Sequence, residues 1–306
     1  MRAFWYDSDL FMARNTSCHF GAEQGHWMHE EWHTFSPDAK CGLKQYFKPT
    51  EVPRAASRLV VDPLLAGRSV LLIGDSTDRN KLLAFCNAGN VSTEAYIYGL
   101  PKTPQRTRDY NYCTAGNFTM AHFMHWGVMG QPYWYMAFTG SPLHSTTEEH
   151  LASDAVLFRD HVLGGHDPTL VIVQSYAWDI GAMCQRNKTQ TLNQCHFDVQ
   201  NWIARAVTYV ERVQQTFPKS VIMWRTSHAY NVNWSKLWRV SQLQIHEMNA
   251  AARWAFPRLG VGLVEWGPMM ESYGMPWVCQ NQLHVTPECN LPYVNLVLNI
   301  ISRELA

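Results

Sequence analysis

Four short apolar runs constrain the fold of this chain more than any other feature: Ser69 to Ile73, Leu170 to Gln174, Ser220 to Trp224 and Val261 to Glu265. Rich in Val, Ile and Leu, they have the continuous apolar pattern of strands covered on both faces. Helical stripes lie between the last three. Val199, Trp202, Ile203, Ala206, Val210, Val213 and Phe217 recur at steps of three and four up to Pro218. A weaker stripe uses Val240, Leu243, Ala251, Ala252 and Ala255 and stops at Pro257, and a last helix is predicted from about Pro292 to Arg303. Strands alternating with helices predict a three-layer α/β domain: a parallel sheet with helices on both faces and its site at the carboxyl ends of the strands.

The 306 residues divide unevenly around this pattern. Residues 1–58 hold no long periodic segment and are dense in His, Trp and turn formers between Cys18 and Cys41. They are read as a small disulfide-tied lobe packed on a main domain of residues 59–306. His26, His29 and His33 stand at helical intervals, but nothing supplies a fourth ligand, so they are read as surface or packing residues and no metal is expected. Residues 91–168 interrupt the strand–helix alternation with an aromatic-rich insertion carrying His122, His125, Trp126, Tyr133, Trp134 and Tyr135. It is read either as a wall of a substrate cleft or as a second hydrophobic cluster.

Charge argues against two classes of partner. The formal net charge is zero and charged residues make up 16% of the chain, so neither nucleic acid nor an acidic membrane surface is an expected partner. Thirteen each of Trp, Tyr and Phe suit surfaces on which sugars stack, although core packing uses such residues too. Eight cysteines without a CxxC pair read as disulfides, and their spacing suggests Cys18–Cys41, Cys86–Cys113, Cys184–Cys195 and Cys279–Cys289. Disulfides imply an oxidising compartment, the secretory pathway, whether the Golgi lumen or the exterior. Glycosylation sequons beginning at Asn15, Asn90, Asn117, Asn187 and Asn233 agree with it. The opening residues lack the apolar core of a signal peptide, so either the targeting segment was trimmed or the cysteine reading fails, and no run is long enough for a membrane helix. A monomer is expected.

The chemistry concentrates in two stretches. The first run stops at Gly74, and Ser76 follows at the head of an apolar helical pattern. That places Ser76 at a sheet edge beside unpaired N–H groups and the positive end of a helix dipole, a position suited either to a nucleophile or to a helix cap. The loop Cys279-Gln280-Asn281-Gln282-Leu283-His284-Val285-Thr286-Pro287-Glu288-Cys289 precedes the last helix at the same edge. Two cysteines bracket His284, and a loop pinned in that way can hold an imidazole as a general base.

Together these stretches resemble the SGNH (GDSL-like) hydrolase superfamily, and within it the PC-esterase and trichome-birefringence-like branch of carbohydrate O-acyl enzymes. Gly74-Asp75-Ser76 with Arg79-Asn80 is similar to its GDSxxRN block. Asn281-Gln282-Leu283-His284, with Cys289-Asn290-Leu291-Pro292 and Asn295, is similar to its DxxH block. Trp224-Arg225-Thr226-Ser227-His228 is similar to an internal Arg-Thr-Ser block. Gln174-Ser175-Tyr176-Ala177-Trp178-Asp179 stands where the Asn-containing block does, and Cys18 to Tyr46 is similar to the cysteine lobe of the plant members. The resemblance implies a flavodoxin-like three-layer fold with Ser76 as nucleophile and His284 as base. It implies an oxyanion hole from the Ser76 N–H, Gln174 and Gly99, and substrate contacts from Arg79, Asn80, Arg225 and Trp178. The implied activity is acetyl transfer to polysaccharide hydroxyls or its hydrolytic counterpart, with an acetyl donor as co-substrate and no bound cofactor. Two positions depart from the pattern: Asn281 replaces the triad aspartate, and Gln174 replaces an asparagine. Another acid, Asp179 or Glu265, would have to substitute, or the site is slow or silent and the chain a carbohydrate-binding protein.

Overall fold

A computed structural model describes residues 18, 21, 25–28, 31–34, 41–47, 62–96, 109–129, 147–185, 197–229, 232–235, 238–240, 242–272, 279 and 283–305. Strands β1 (Gly25–Met28) and β2 (Glu31–Thr34) form an antiparallel hairpin in which His26 stands opposite His33. The main sheet contains β3 (Ser69–Gly74), β4 (Glu94–Ala95), β5 (Tyr110–Ala115), β6 (Phe118–Met124), β7 (Leu170–Val173), β8 (Val221–Arg225) and β11 (Gly262–Val264). A second hairpin pairs β9 (Val232–Ser235) with β10 (Trp238–Val240). The helices are α1 (Ser76–Ala88), α2 (147–161, with a π turn at Leu151–Ala155), α3 (Ala177–Gln185), α4 (Val199–Thr216), α5 (Gln242–Ala255), α6 (Trp266–Glu271) and α7 (Pro287–Asn299).

Across the sheet the order is β11-β8-β7-β3-β6-β5-β4. The five strands from β11 to β6 are parallel, and β5 and β4 extend the β6 edge antiparallel. Among the parallel strands, the first in sequence lies between the second and third, so the winding reverses between β3 and β7. In doubly wound sheets the crevice at that reversal is where ligands bind. Alternate residues of β3 feed two cores. Val70 and Leu72 point toward α1, α6 and α7, while Leu71 and Ile73 point toward α2, α3, α4 and α5. The architecture is the three-layer α/β sandwich expected from the strand–helix alternation.

Several boundaries differ from the sequence reading. The described part of 91–168 supplies β4, β5 and β6 to the main sheet. β6 escapes a search for apolar runs because His122 lies within it, although the side chain is fully buried. On α5 the inward face is Ile245, Met248, Asn249, Ala252 and Ala255, whereas Leu243 is 67% exposed and Val240 belongs to β10. The polar member of that face, Asn249, is satisfied by the backbone of Ser227, accepting from its N–H at 3.0 Å and donating to its carbonyl at 2.7 Å. Helix α7 starts at Pro287, where a missing N–H costs nothing, and runs through Pro292.

Disulfides and side-chain amides tie the periphery down. Cys18–Cys41, Cys86–Cys113 and Cys279–Cys289 are bonded, while the pairing proposed for Cys184 with Cys195 falls outside the described residues. The stretch 43–47 docks on α7. Asn295 Oδ1 accepts the Tyr46 and Phe47 N–H groups at 3.0 and 2.9 Å, and Asn299 Oδ1 accepts that of Lys44 at 2.9 Å.

One buried ion pair joins the sheet to the helix after β3. Arg225, 1% exposed at the end of β8, meets Asp78 of α1 through Nε–Oδ1 and Nη2–Oδ2 contacts of 2.9 Å each. Burial opposes the charge on Arg225, but the Asp78 carboxylate overrides it and holds the guanidinium ionised. Removing Arg225 would leave the buried Asp78 carboxylate, among the described residues, with only Lys81 Nζ, 3.7 Å away, as a counter-charge. Arg225→Ala is therefore expected to lower the unfolding free energy by up to about 3–5 kcal/mol in urea titration.

Candidate active site

The site is built on the turn between β3 and α1. A Cβ at Gly74 would overlap the Asp78 carboxylate and lie 2.9 Å from Gln174 Cγ, so α1 and β7 can approach this closely only over glycine. The cap of α1 is Asp75, whose Oδ1 accepts from Thr77 N at 2.8 Å and from Thr77 Oγ1 at 2.6 Å. Ser76 is thus the first helical residue and its hydroxyl plays no part in capping. Ser76 Oγ lies 2.6 Å from His284 Nε2, and both residues are half-exposed.

His284 is steadied from its C-terminal side. The Cys279–Cys289 disulfide closes its loop onto the first turn of α7, and Asn290 Nδ2 donates to the carbonyls of Val285 and Thr286 at 3.2 and 3.0 Å. Burial lowers the His284 pKa from its ordinary value; Arg79 and Lys81 push the same way, and Asp75 opposes them. The imidazole is therefore neutral near pH 7, as a base must be.

Asn281 and Gly99 lie outside the described residues. The two carboxylates considered as substitutes for the triad acid are engaged elsewhere. Asp179 Oδ1 accepts from the N–H groups of Val128 and Met129 at 2.7 and 2.8 Å, and Oδ2 accepts from Ser175 Oγ and Trp202 Nε1. Burial pushes its pKa up to about 6. Glu265 forms a two-pronged pair with Arg253 at 2.7 and 2.8 Å.

The other expected contacts divide. Gln174 is 1% exposed just past β7, where its side-chain amide helps to hold the Asp75 carboxylate ionised. Arg79 sits on α1 with Nη1 3.4 Å from Asp109 Oδ1; Asn80 is half-buried on the same helix. Trp178 is half-buried on α3 against the second core. Arg225, expected to touch substrate, is instead buried, with Nη2 donating to Thr77 Oγ1 at 3.1 Å besides its pair with Asp78. A strand-end arginine facing an acidic first turn has a stronger partner inside the protein than any neutral sugar offers.

Of three further buried groups, Lys81 was missed by the sequence reading, while His125 and His122 were named only as part of the aromatic insertion. Lys81, 1% exposed, places Nζ 5.0 Å from the Tyr293 ring and 3.7 Å from Asp78 Oδ1, and burial lowers its pKa to about 7. His125 Nε2 lies 3.0 Å from Ser175 Oγ, which bonds Asp179 in turn. This histidine–serine–aspartate set is at most 2% exposed, so it braces the 127–129 loop and offers no site. His122 lies directly under the Ser76 turn. Its sequence signal was a lone histidine in an otherwise apolar strand.

No protein-family model matches the sequence, and no curated protein matches it. Solved structures with a similar course include one from Bacteroides fragilis NCTC 9343 described as a candidate acylhydrolase, with 15% identity and a TM-score of 0.45 over 85% of this chain and 99% of that one. A GDSL-like lipase from Bacteroides thetaiotaomicron VPI-5482 shares 12% identity at a TM-score of 0.44, covering 83% and 98%. A family two carbohydrate esterase from Clostridium thermocellum shares 15% at 0.37, covering 78% and 64%.

Two outcomes follow from the local geometry. In an NMR titration His284 should protonate below the ordinary histidine value of about 6.5, and Arg79→Ala should move its midpoint upward by removing a repelling cation. Opening the 10-residue cross-link with Cys279→Ser/Cys289→Ser should cost about 2–3 kcal/mol in denaturant unfolding.

Proposed function

We propose that this chain is a serine-dependent acyl-ester enzyme of the SGNH type that acts on carbohydrate, with O-acetyl transfer to a polysaccharide hydroxyl as its reaction. The observation that carries the reading is the 2.6 Å contact between Ser76 Oγ and His284 Nε2 at the winding reversal of the sheet. Ser76 Oγ attacks the acetyl carbonyl of the donor while His284 Nε2 takes its proton. The tetrahedral oxyanion falls to the Ser76 N–H at the positive end of α1, with Gln174 Nε2 and Gly99 as further donors. Collapse breaks the bond to the leaving alkoxide, which His284 protonates, and leaves acetyl-Ser76. His284 then deprotonates the incoming hydroxyl, which takes the acetyl group and restores Ser76. The route needs an acyl donor as co-substrate and no bound cofactor.

The Cys18–Cys41 bond, buried in the first core, supports the likeness of the stretch from Cys18 to Tyr46 to the cysteine lobe of the plant members. That likeness favours a sugar hydroxyl over water as final acceptor. The bonded cysteines also support a lumenal or extracellular location. Asn281 motivates the second reading, a carbohydrate-binding protein with a slow or silent site, because an amide cannot stabilise the imidazolium as a carboxylate does.

The purified protein should acetylate a deacetylated polysaccharide from an activated acetyl ester, followed as ester content by NMR, and Ser76→Ala should abolish it. Release of acetate with no gain of polysaccharide ester would replace the transferase reading by the esterase one. Equal rates for wild type and Ser76→Ala would leave the binding reading. With Asp179 and Glu265 engaged elsewhere, Asn281→Asp should raise kcat by up to roughly 10⁴, the scale of the carboxylate's contribution in serine triads.

A further inference from the structure

His122 is a fully buried imidazole that the acyl-transfer chemistry above does not use. It stands on β6, the neighbour of β3, and its Nε2 lies 3.1 Å from the carbonyl oxygen of Gly74 and 3.2 Å from that of Asp75. Carbonyl oxygens only accept, so Nε2 must carry the proton and His122 is fixed as the Nε2–H tautomer. Among the described residues its Nδ1 meets no hydrogen-bond partner, and its Nε2 is bonded only to the turn. Burial pushes the His122 pKa down to about 4, with Arg79 adding to the shift, so the ring is a neutral donor through the working range.

The Asp75 carbonyl and the Ser76 N–H belong to one peptide group. In a trans peptide these two bonds point in opposite directions. A donor fixed on the carbonyl side therefore fixes the direction of the N–H, and by polarising the amide it also strengthens that N–H as a donor. The same carbonyl accepts the N–H groups of Asp78 at 3.0 Å and Arg79 at 3.3 Å, the first bonds of α1. His122 completes the set from the sheet side, while the Gly74 carbonyl is also held by the His125 N–H at 2.8 Å. Among the described residues no acceptor meets the Ser76 N–H itself, which is left to whatever occupies the space before it.

We infer that His122 is a positioning residue for the acyl-transfer reaction: its Nε2–H holds the Asp75–Ser76 peptide so that the Ser76 N–H faces the developing oxyanion. The assignment rests on Ser76 being the nucleophile. It accounts for a fully buried histidine on β6, opposite the buried Asn111 of β5 and beside the Ser76 turn.

The test compares His122→Leu, which removes the donor, with His122→Gln, whose amide nitrogen reaches close to the Nε2 position. Hydrolysis of an activated acetyl ester is measured for both beside wild type and Ser76→Ala. The expected result is a fall in kcat of about 10-fold to 100-fold for His122→Leu with KM unchanged within a factor of two. That is somewhat less than the loss seen when an oxyanion donor is deleted outright. His122→Gln should recover most of kcat. Inhibition by a boronic acid, which forms a tetrahedral adduct on serine, should weaken in parallel with kcat. A folded His122→Leu with wild-type kcat, or one that changes KM as much as kcat, would overturn the assignment. Should His122→Leu fail to fold, the ¹⁵N spectrum of the wild-type histidines decides instead: a protonated Nε2 and bare Nδ1 at neutral pH support the assignment, and the reverse tautomer overturns it. A Ser76→Ala variant as active as wild type would instead overturn the Ser76 reading itself, a result distinct from the failure of His122 alone.

Discussion

The Asp78–Arg225 pair is the contact on which the geometry of the Ser76 turn depends. It links the first turn of α1 to the end of β8, two strands away from β3, and lies in an interior where neither charge can be left alone. Because the Asp78 carboxylate occupies the space beside Gly74, the strand must end in glycine. With Arg225 also bonding Thr77 Oγ1, the first turn is clamped from the sheet side. The pair is a device for fixing position, and its own contribution to net stability is secondary to what its loss would expose.

Around that clamp, each polar group of the turn has a separate task. Asp75 caps α1 and satisfies Thr77. That leaves the Ser76 hydroxyl for His284 and, among the described residues, the Ser76 N–H without an acceptor. His284 arrives on a different piece of chain, held by a disulfide to α7. Two elements distant in sequence thereby meet at 2.6 Å. Burial and the cations Arg79 and Lys81 keep the imidazole neutral, and Asp75 is the carboxylate that offsets them.

Much of the fold was legible in the sequence because burial on two faces forces a continuous apolar run, and β3, β7, β8 and β11 have one. The α4 stripe was legible for the same reason: Trp202, Ala206, Val210 and Val213 are buried at helical spacing. β6 was not, because His122 interrupts its run and is tolerated only where the Gly74 and Asp75 carbonyls receive its proton. The inward face of α5 was misplaced because one of its members is Asn249, whose polarity is cancelled by the Ser227 backbone. A polar residue paired in three dimensions reads as an exposed one in the sequence.

Sequence alone determined the alternation of strands and helices, the glycine turn before Ser76 and the bracketing of His284 by two cysteines, since these depend on local periodicity and chain chemistry. Which hydroxyl was free was a tertiary decision: only the structure gives the cap to Asp75 and leaves Ser76 to His284. The same holds for Arg225, which in sequence looks like a substrate ligand and in the fold is bound to Asp78. The distance between a residue on β8 and one on α1 is set by sheet order, and no local pattern encodes it.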